Sequence, residues 1–177
     1  LNTLLDSWWA KAKMALEYAL HRTGPLTMPP SQLGAFAKSD PSQATPNLEY
    51  HVQPISLDRF GAPPHKFPAF TASVCNLRPT SRGHVRITSA DPRAHPAIAP
   101  HYLSTDEDRK VAVDALRLTR RIVNESAALR PYQPEEFMPG LQYQTDAELV
   151  QAAGRIGTTI FHPVGTCKMG RADDATA

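Results

Sequence analysis

The side chains best suited to chemistry in this sequence lie within one short stretch, GTTIFHPVGTCKMG at residues 157–170. His162 sits there among glycines and threonines, and Pro163 behind it holds the histidine backbone away from helical conformations. The glycines leave the main chain free to approach a flat or bulky ligand. Imidazole titrates near neutral pH, so His162 is a candidate proton acceptor. Cys167 lies five residues further on and opens two other readings, a His162–Cys167 metal pair and a thiol nucleophile. His95 and His101, six apart, are another pair of potential ligands. Neither pair has the i, i+3 or i, i+4 spacing of ligands on one helix face, and no carboxylate completes a set, so no metal site is expected. A thiol enzyme needs its base brought close by the fold, because catalytic pairs are usually distant in sequence.

Several chemistries are excluded by absence. There is no Gly-x-Gly-x-x-Gly after a strand and no phosphate loop ending in Gly-Lys-Ser or Gly-Lys-Thr, so nothing here cradles a nucleotide by itself. There is no Gly-x-Ser-x-Gly elbow and no His-Glu-x-x-His helix either. Lys plus Arg number 19 against 17 Asp plus Glu, a net charge of +2 spread along the chain, which argues against a nucleic-acid binder. Cys75 and Cys167 match neither a disulfide framework nor a zinc motif and read as free thiols in a reducing compartment. No stretch approaches the roughly 20 apolar residues of a membrane span. The expected location is the cytoplasm, in solution or peripherally at a membrane. The first residue is Leu1 and no leader pattern precedes the fold, so a processed start or a piece of a longer protein is expected.

These candidates need elements to position them. Thirteen of the 17 prolines fall between Pro25 and Pro100, so long helices are confined to the flanks. Leu1, Leu4, Leu5, Trp8, Ala12, Ala15, Leu16 and Ala19 recur at helical spacing, which predicts a helix over 2–22 packed on the protein's own core. A second helix is expected over 105–124, capped by Ser104 with Glu107 three residues on, and a third over 145–153, with Thr145 and Glu148 as a capping box. Between them the period is two: strands are expected at 48–53, 70–77 and 84–88, the last two joined as a hairpin through residues 78–83. The fold class is therefore α+β, an antiparallel sheet covered by helices, in one domain spanning 1–177.

Several motifs together resemble a known family. FHPVGTCKMG at 161–170 is similar to a signature near the C-terminus of the glucose-methanol-choline flavoprotein oxidoreductases. RPTSRGHVRI at 78–87, SADP at 89–92, PHYLS at 100–104 and the helix from Asp106 follow the family's order. Upstream, TGPL at 23–26, GAF at 34–36 and PNLEYH at 46–51 resemble its substrate-domain entrance. The resemblance implies a chain about three times this long, opened by a FAD-binding Rossmann domain that is missing here. Residues 78–177 would be the family's C-terminal region, truncated before its end. The expected function is then that of a fragment of a FAD-dependent oxidoreductase acting on a primary alcohol or a choline-like substrate. The fragment itself would be inactive and free of FAD, its partner the missing FAD domain, and 157–170 would be left uncovered.

The resemblance also implies roles. His162 would be the base that takes the hydroxyl proton while hydride passes to flavin N5. Val164, Gly165 and Thr166 would pass beside the flavin ring, and His51, on the polar face of its strand, would face the substrate. Gln32 stands where choline-specific relatives carry a glutamate. A quaternary ammonium calls for a negative partner or an aromatic cage, so uncharged alcohols are the expected substrates. The alternative is a non-catalytic module that binds a small polyol or a partner protein.

Overall fold

A computed structural model describes residues 1–29, 31–59, 61–166 and 168–174. Contacts divide the chain into two compact units. One is formed by Leu1–Leu77 with Ala115–Ile122, the other by Arg78–Asp114 with Val123–Ala177. The fold class is the expected α+β, with antiparallel strands and helices.

The first unit is built on a three-stranded antiparallel sheet in the order β1 (Leu33–Ala37), β2 (Leu48–Gln53), β3 (Thr71–Asn76). In β2 the period-two pattern works as read: Leu48 and Tyr50 are fully or almost fully buried while Glu49 and His51 lie on the opposite face. The Tyr50 hydroxyl, 3.1 Å from Thr119 Oγ1, donates to it, because Thr119 in turn donates to the Ala115 carbonyl at 2.8 Å. That fastens the helix segment 115–122 to the buried face of the sheet. Asn47 closes the β1–β2 connection, accepting from the Ser39 amide and donating to its hydroxyl, each at 2.8 Å.

Two helices, α1 (Asn2–Asp6) and α2 (Trp8–His21), replace the single helix expected over 2–22. The break is at Ser7, which has an extended backbone and caps α2 with its side-chain hydroxyl, accepting from the Ala10 amide. Arg22, in the left-handed region at φ 55°, ends α2 before Gly24 is reached. Met14 is the buried residue of α2, while Trp8 and Leu16 are 75% and 59% exposed. The spacing correctly marks an apolar stripe, but that stripe does not lie on the core of its unit.

In the second unit β4 (His84–Arg86) pairs antiparallel with β5 (Ala97–Ala99), not with 70–77. The hairpin expected through residues 78–83 is thus replaced by β2–β3 and β4–β5 pairings. The cause lies in Asp108. Its carboxylate accepts from the Thr80 and Ser81 amides at 2.9 and 2.8 Å, so 78–83 is tied to the start of helix α3 (Asp106–Glu125) instead of turning back. The chain reverses later, at Asp91, where the Ala94 amide donates to the Asp91 carbonyl and Arg93 to its carboxylate. Thr105, not Ser104, caps α3 by accepting from the Asp108 amide. Helix α4 (Asp146–Ile156) has the full capping box of Thr145 and Glu148, and it continues past Gly154 to end at Gly157. No helix among the described residues is long and apolar enough to cross a membrane.

Candidate functional site

The polar face of the sheet carries the first group of candidate residues. Antiparallel register sets His51 between Gly34 on β1 and Ser73 on β3, and Glu49 between Phe36 and Cys75. Facing residues share a side of the sheet, so the imidazole stands in a gap bounded by a missing side chain and a hydroxymethyl group. A Cβ at Gly34 would meet only the Tyr50 carbonyl, at 3.7 Å, which leaves that gap open. His51 is 32% exposed; its Nε2 is buried without a hydrogen-bond partner and lies 3.6 Å from Glu49 Oε1. The Cys75 thiol donates to the Glu49 carbonyl oxygen at 3.6 Å. Burial, reinforced by the Glu49 charge, pushes this thiol above its ordinary range.

Gln32 stands one residue before β1. Its amide continues the ladder to the Val52 carbonyl at 2.9 Å, and its exposed side chain donates back to the Pro29 carbonyl at 3.2 Å. Gln32 and His51 are thus brought to neighbouring strands of one sheet.

His162, Val164, Gly165 and Thr166 lie in the other unit, on a segment without regular secondary structure after α4. All four are exposed, Val164 to 92%. Phe161 and Gly165 adopt left-handed backbone at φ 62° and 81°, and no atom stands within 4 Å of where a Gly165 Cβ would be. Cys167, weighed above as a thiol partner of His162, lies outside the described residues.

An exposed, small-residue backbone of this kind fits one flank of a flat isoalloxazine ring. No Gly-x-Gly-x-x-Gly turn is present to hold a pyrophosphate. The residues present therefore fit the ring end of FAD, not its phosphates.

Two arrangements escaped the sequence reading. Glu49, His51 and Cys75 bring a carboxylate oxygen, an imidazole nitrogen and a sulfur within 4.8 Å of one another. Period two could have paired Glu49 with His51, but Cys75 is 26 residues from Glu49 and only strand register brings it there. The second is a chain from Ser56 Oγ to His65 Nδ1 at 2.9 Å and from His65 Nε2 to Asp58 at 3.0 Å. It has the residue types of a hydrolase triad, yet Ser56 is 8% exposed and Asn2 donates to its hydroxyl at 2.9 Å. With the serine held inside, this network anchors α1 to the 56–65 loop.

Comparison with known proteins completes the picture. A family model described as GMC oxidoreductase matches residues 79–177. The chain is 40% identical over 163 residues to an oxygen-dependent choline dehydrogenase of Klebsiella pneumoniae subsp. pneumoniae and 39% identical to one of Escherichia coli K12. Each alignment covers 92% of this chain and 29% of the relative, so the chain spans under a third of the length of these relatives. Among solved structures, pyridoxine 4-oxidase from Mesorbium loti superposes with a TM-score of 0.70 at 30% identity, over 82% of this chain and 29% of that one. A formate oxidase superposes with a TM-score of 0.80 at 21% identity, over 93% and 33%, a likeness of fold alone.

Proposed function

The chain belongs to the GMC oxidoreductase family, and from that premise we propose that it supplies the substrate wall and the catalytic base of a FAD-dependent oxidoreductase acting on CH–OH donors. The observation that carries this is the exposed HPVGT segment at 162–166, a histidine followed by small residues whose backbone is open to a planar ligand.

FAD, when bound, supplies the acceptor for the hydride. The role proposed for this chain begins with His162, which takes the hydroxyl proton of the substrate, since an alkoxide releases hydride far more readily than an alcohol. Pro163 limits the backbone freedom of His162 and so the reorganisation needed to reach that geometry. Val164, Gly165 and Thr166 flank the ring, where small side chains keep the approach close. His51 and Gln32 line the substrate side: the gap between Gly34 and Ser73 admits part of the alcohol, and the imidazole offers it a hydrogen bond.

Gln32 sets the charge preference. An amide neutralises no ammonium group, so the favoured substrates are uncharged primary alcohols, and choline is handled less well. The test is anaerobic reduction of the flavin in the full-length protein by choline and by uncharged alcohols of similar size, in wild type and Gln32→Glu. Wild type should prefer the uncharged alcohols, and the added carboxylate should raise choline's relative kcat/KM about tenfold or more, the equivalent of one favourable charge contact. Failure of every alcohol to reduce the flavin would contradict the proposed activity. An unchanged preference in Gln32→Glu would contradict the assignment of Gln32 alone.

A further inference from the structure

The group Glu49, His51 and Cys75 is not used by the proton transfer, and three of its features point the same way. The donor set is a carboxylate, an imidazole and a thiol, the three ligand types of protein zinc sites. Their ligand atoms already lie within 4.8 Å of one another. With Zn–S near 2.3 Å and Zn–N or Zn–O near 2.0 to 2.2 Å, a tetrahedral N···O pair stands about 3.3 to 3.5 Å apart and a pair that includes sulfur about 3.5 to 3.7 Å. The His51 Nε2 to Glu49 Oε1 separation is 3.6 Å, so closing on an ion takes only a small side-chain adjustment. Independently, His51 Nε2 is a buried nitrogen with no hydrogen-bond partner, an arrangement that costs free energy unless something else satisfies it.

The strands explain why the three donors converge. Glu49 and His51 are two apart on β2 and so project from one face, and register sets Cys75 of β3 directly across from Glu49. Three donors on two hydrogen-bonded strands form a stiff frame, better suited to holding an ion than the same residues on a loop. The side chains of Glu49 and His51 are 28% and 32% exposed, which gives an ion a path in. Gly34 and Ser73, the small neighbours of His51, leave space for a fourth ligand such as water.

We infer that Glu49, His51 and Cys75 form a three-ligand site for a divalent zinc-like cation on the polar face of the sheet, with one coordination position open to solvent. On binding, Cys75 gives its proton to solvent and coordinates as thiolate. The mixed oxygen, nitrogen and sulfur set favours Zn²⁺ or Co²⁺ over Mg²⁺ or Ca²⁺, which take oxygen ligands almost alone.

The inference shares His51 with the proposed substrate wall, but its test reads metal without substrate, so the two readings fail separately. Tag-free full-length protein, stripped with chelator, is equilibrated with Zn²⁺ and its metal content measured by atomic emission alongside Cys75→Ser and Glu49→Gln. Wild type should retain about one Zn²⁺ per chain at this site, and each substitution should weaken retention at least about tenfold, since even losing an outer-shell partner costs that much. Co²⁺ loading of wild type, recorded as a difference spectrum against the Zn²⁺-loaded protein to cancel any flavin absorbance, should add a sulfur-to-cobalt charge-transfer band in the near ultraviolet. That readout needs no variant, so it stands even if a substitution impairs folding. Absence of the band, or equal Zn²⁺ retention by wild type and both folded variants, would overturn the inference.

Discussion

Asp108 keeps its charge inside the protein because Thr80 and Ser81 turn their donors toward it. At 4% exposure, burial pushes its carboxyl upward, but hydrogen bonds from Ser81 and Thr80 together outweigh burial and hold it below the usual carboxylate range. A lowered folded-state value means that the ionised form stabilises the fold. The contribution is complete above the unfolded value of about 3.9 and is lost as pH falls through the folded value. Asp108→Asn should therefore cost about 1.5 to 3 kcal/mol at pH 7, as for loss of hydrogen bonds to a buried charge. The difference from wild type should shrink below about pH 4. Urea unfolding at pH 7 and pH 3 measures both, and an equal difference at the two pH values would contradict the account. At this scale sequence reading reached what alternation and local motifs encode. Alternation put His51 on the polar face, and the order of residue types put Thr145 and Glu148 in a capping box. It did not reach Asp108, whose partners Thr80 and Ser81 are 28 and 27 residues away, nor Cys75 across from Glu49.

Among the elements, two glycines beside strands separate positions that require glycine from positions that tolerate a side chain. A Cβ on Gly83 would stand 2.6 Å from Pro100 Cα and closer still to the Ala99 carbonyl, because the end of β5 crosses there. Both neighbours are backbone and cannot rotate away. Gly83→Ala should cost about 1 to 3 kcal/mol, the usual range for overpacking. Gly34→Ala should be neutral or slightly stabilising, since its Cβ meets only ordinary contact and the unfolded chain loses freedom. Thermal melting of the two variants tests the contrast, and an equal loss in both would contradict the crossing at Gly83. Helices α2, α3 and α4 and strand β2 are readable because each carries many residues of one periodicity, whereas the five residues of α1 merge with α2 into one pattern. Strand β1 was not: in LGAFA a glycine interrupts the run, and none of the five residues is buried. Strand β5 is three residues closed in by Pro96 and Pro100, too short for a period. The sequence pattern pairs β4 with 70–77 because residues 78–83 read as a hairpin loop, whereas Asp108 holds residues 80 and 81 and reversal waits for the Asp91 turn.

For the molecule as a whole, His51 and Gln32 belong to one compact unit and the 162–166 segment to the other. The chain covers 29% of the length of its choline dehydrogenase relatives, so the reaction is a property to be measured on the full-length protein with its flavin. The central claim is that His162 takes the proton from the substrate hydroxyl, while His51 acts on the substrate as part of the pocket wall. Anaerobic stopped-flow reduction of the flavin by a good alcohol substrate tests both, with flavin content checked so that lost cofactor is not mistaken for lost chemistry. A group whose interaction strengthens as the alkoxide forms acts on the rate more than on binding. His162→Ala should therefore slow the limiting rate of flavin reduction by about 10² to 10⁴, the span typical of a positioned acid–base group, whereas His51→Ala should mainly raise the apparent substrate dissociation constant. A His162→Ala enzyme that keeps its flavin and is reduced within a factor of about three of wild type, far below that span, would contradict the account.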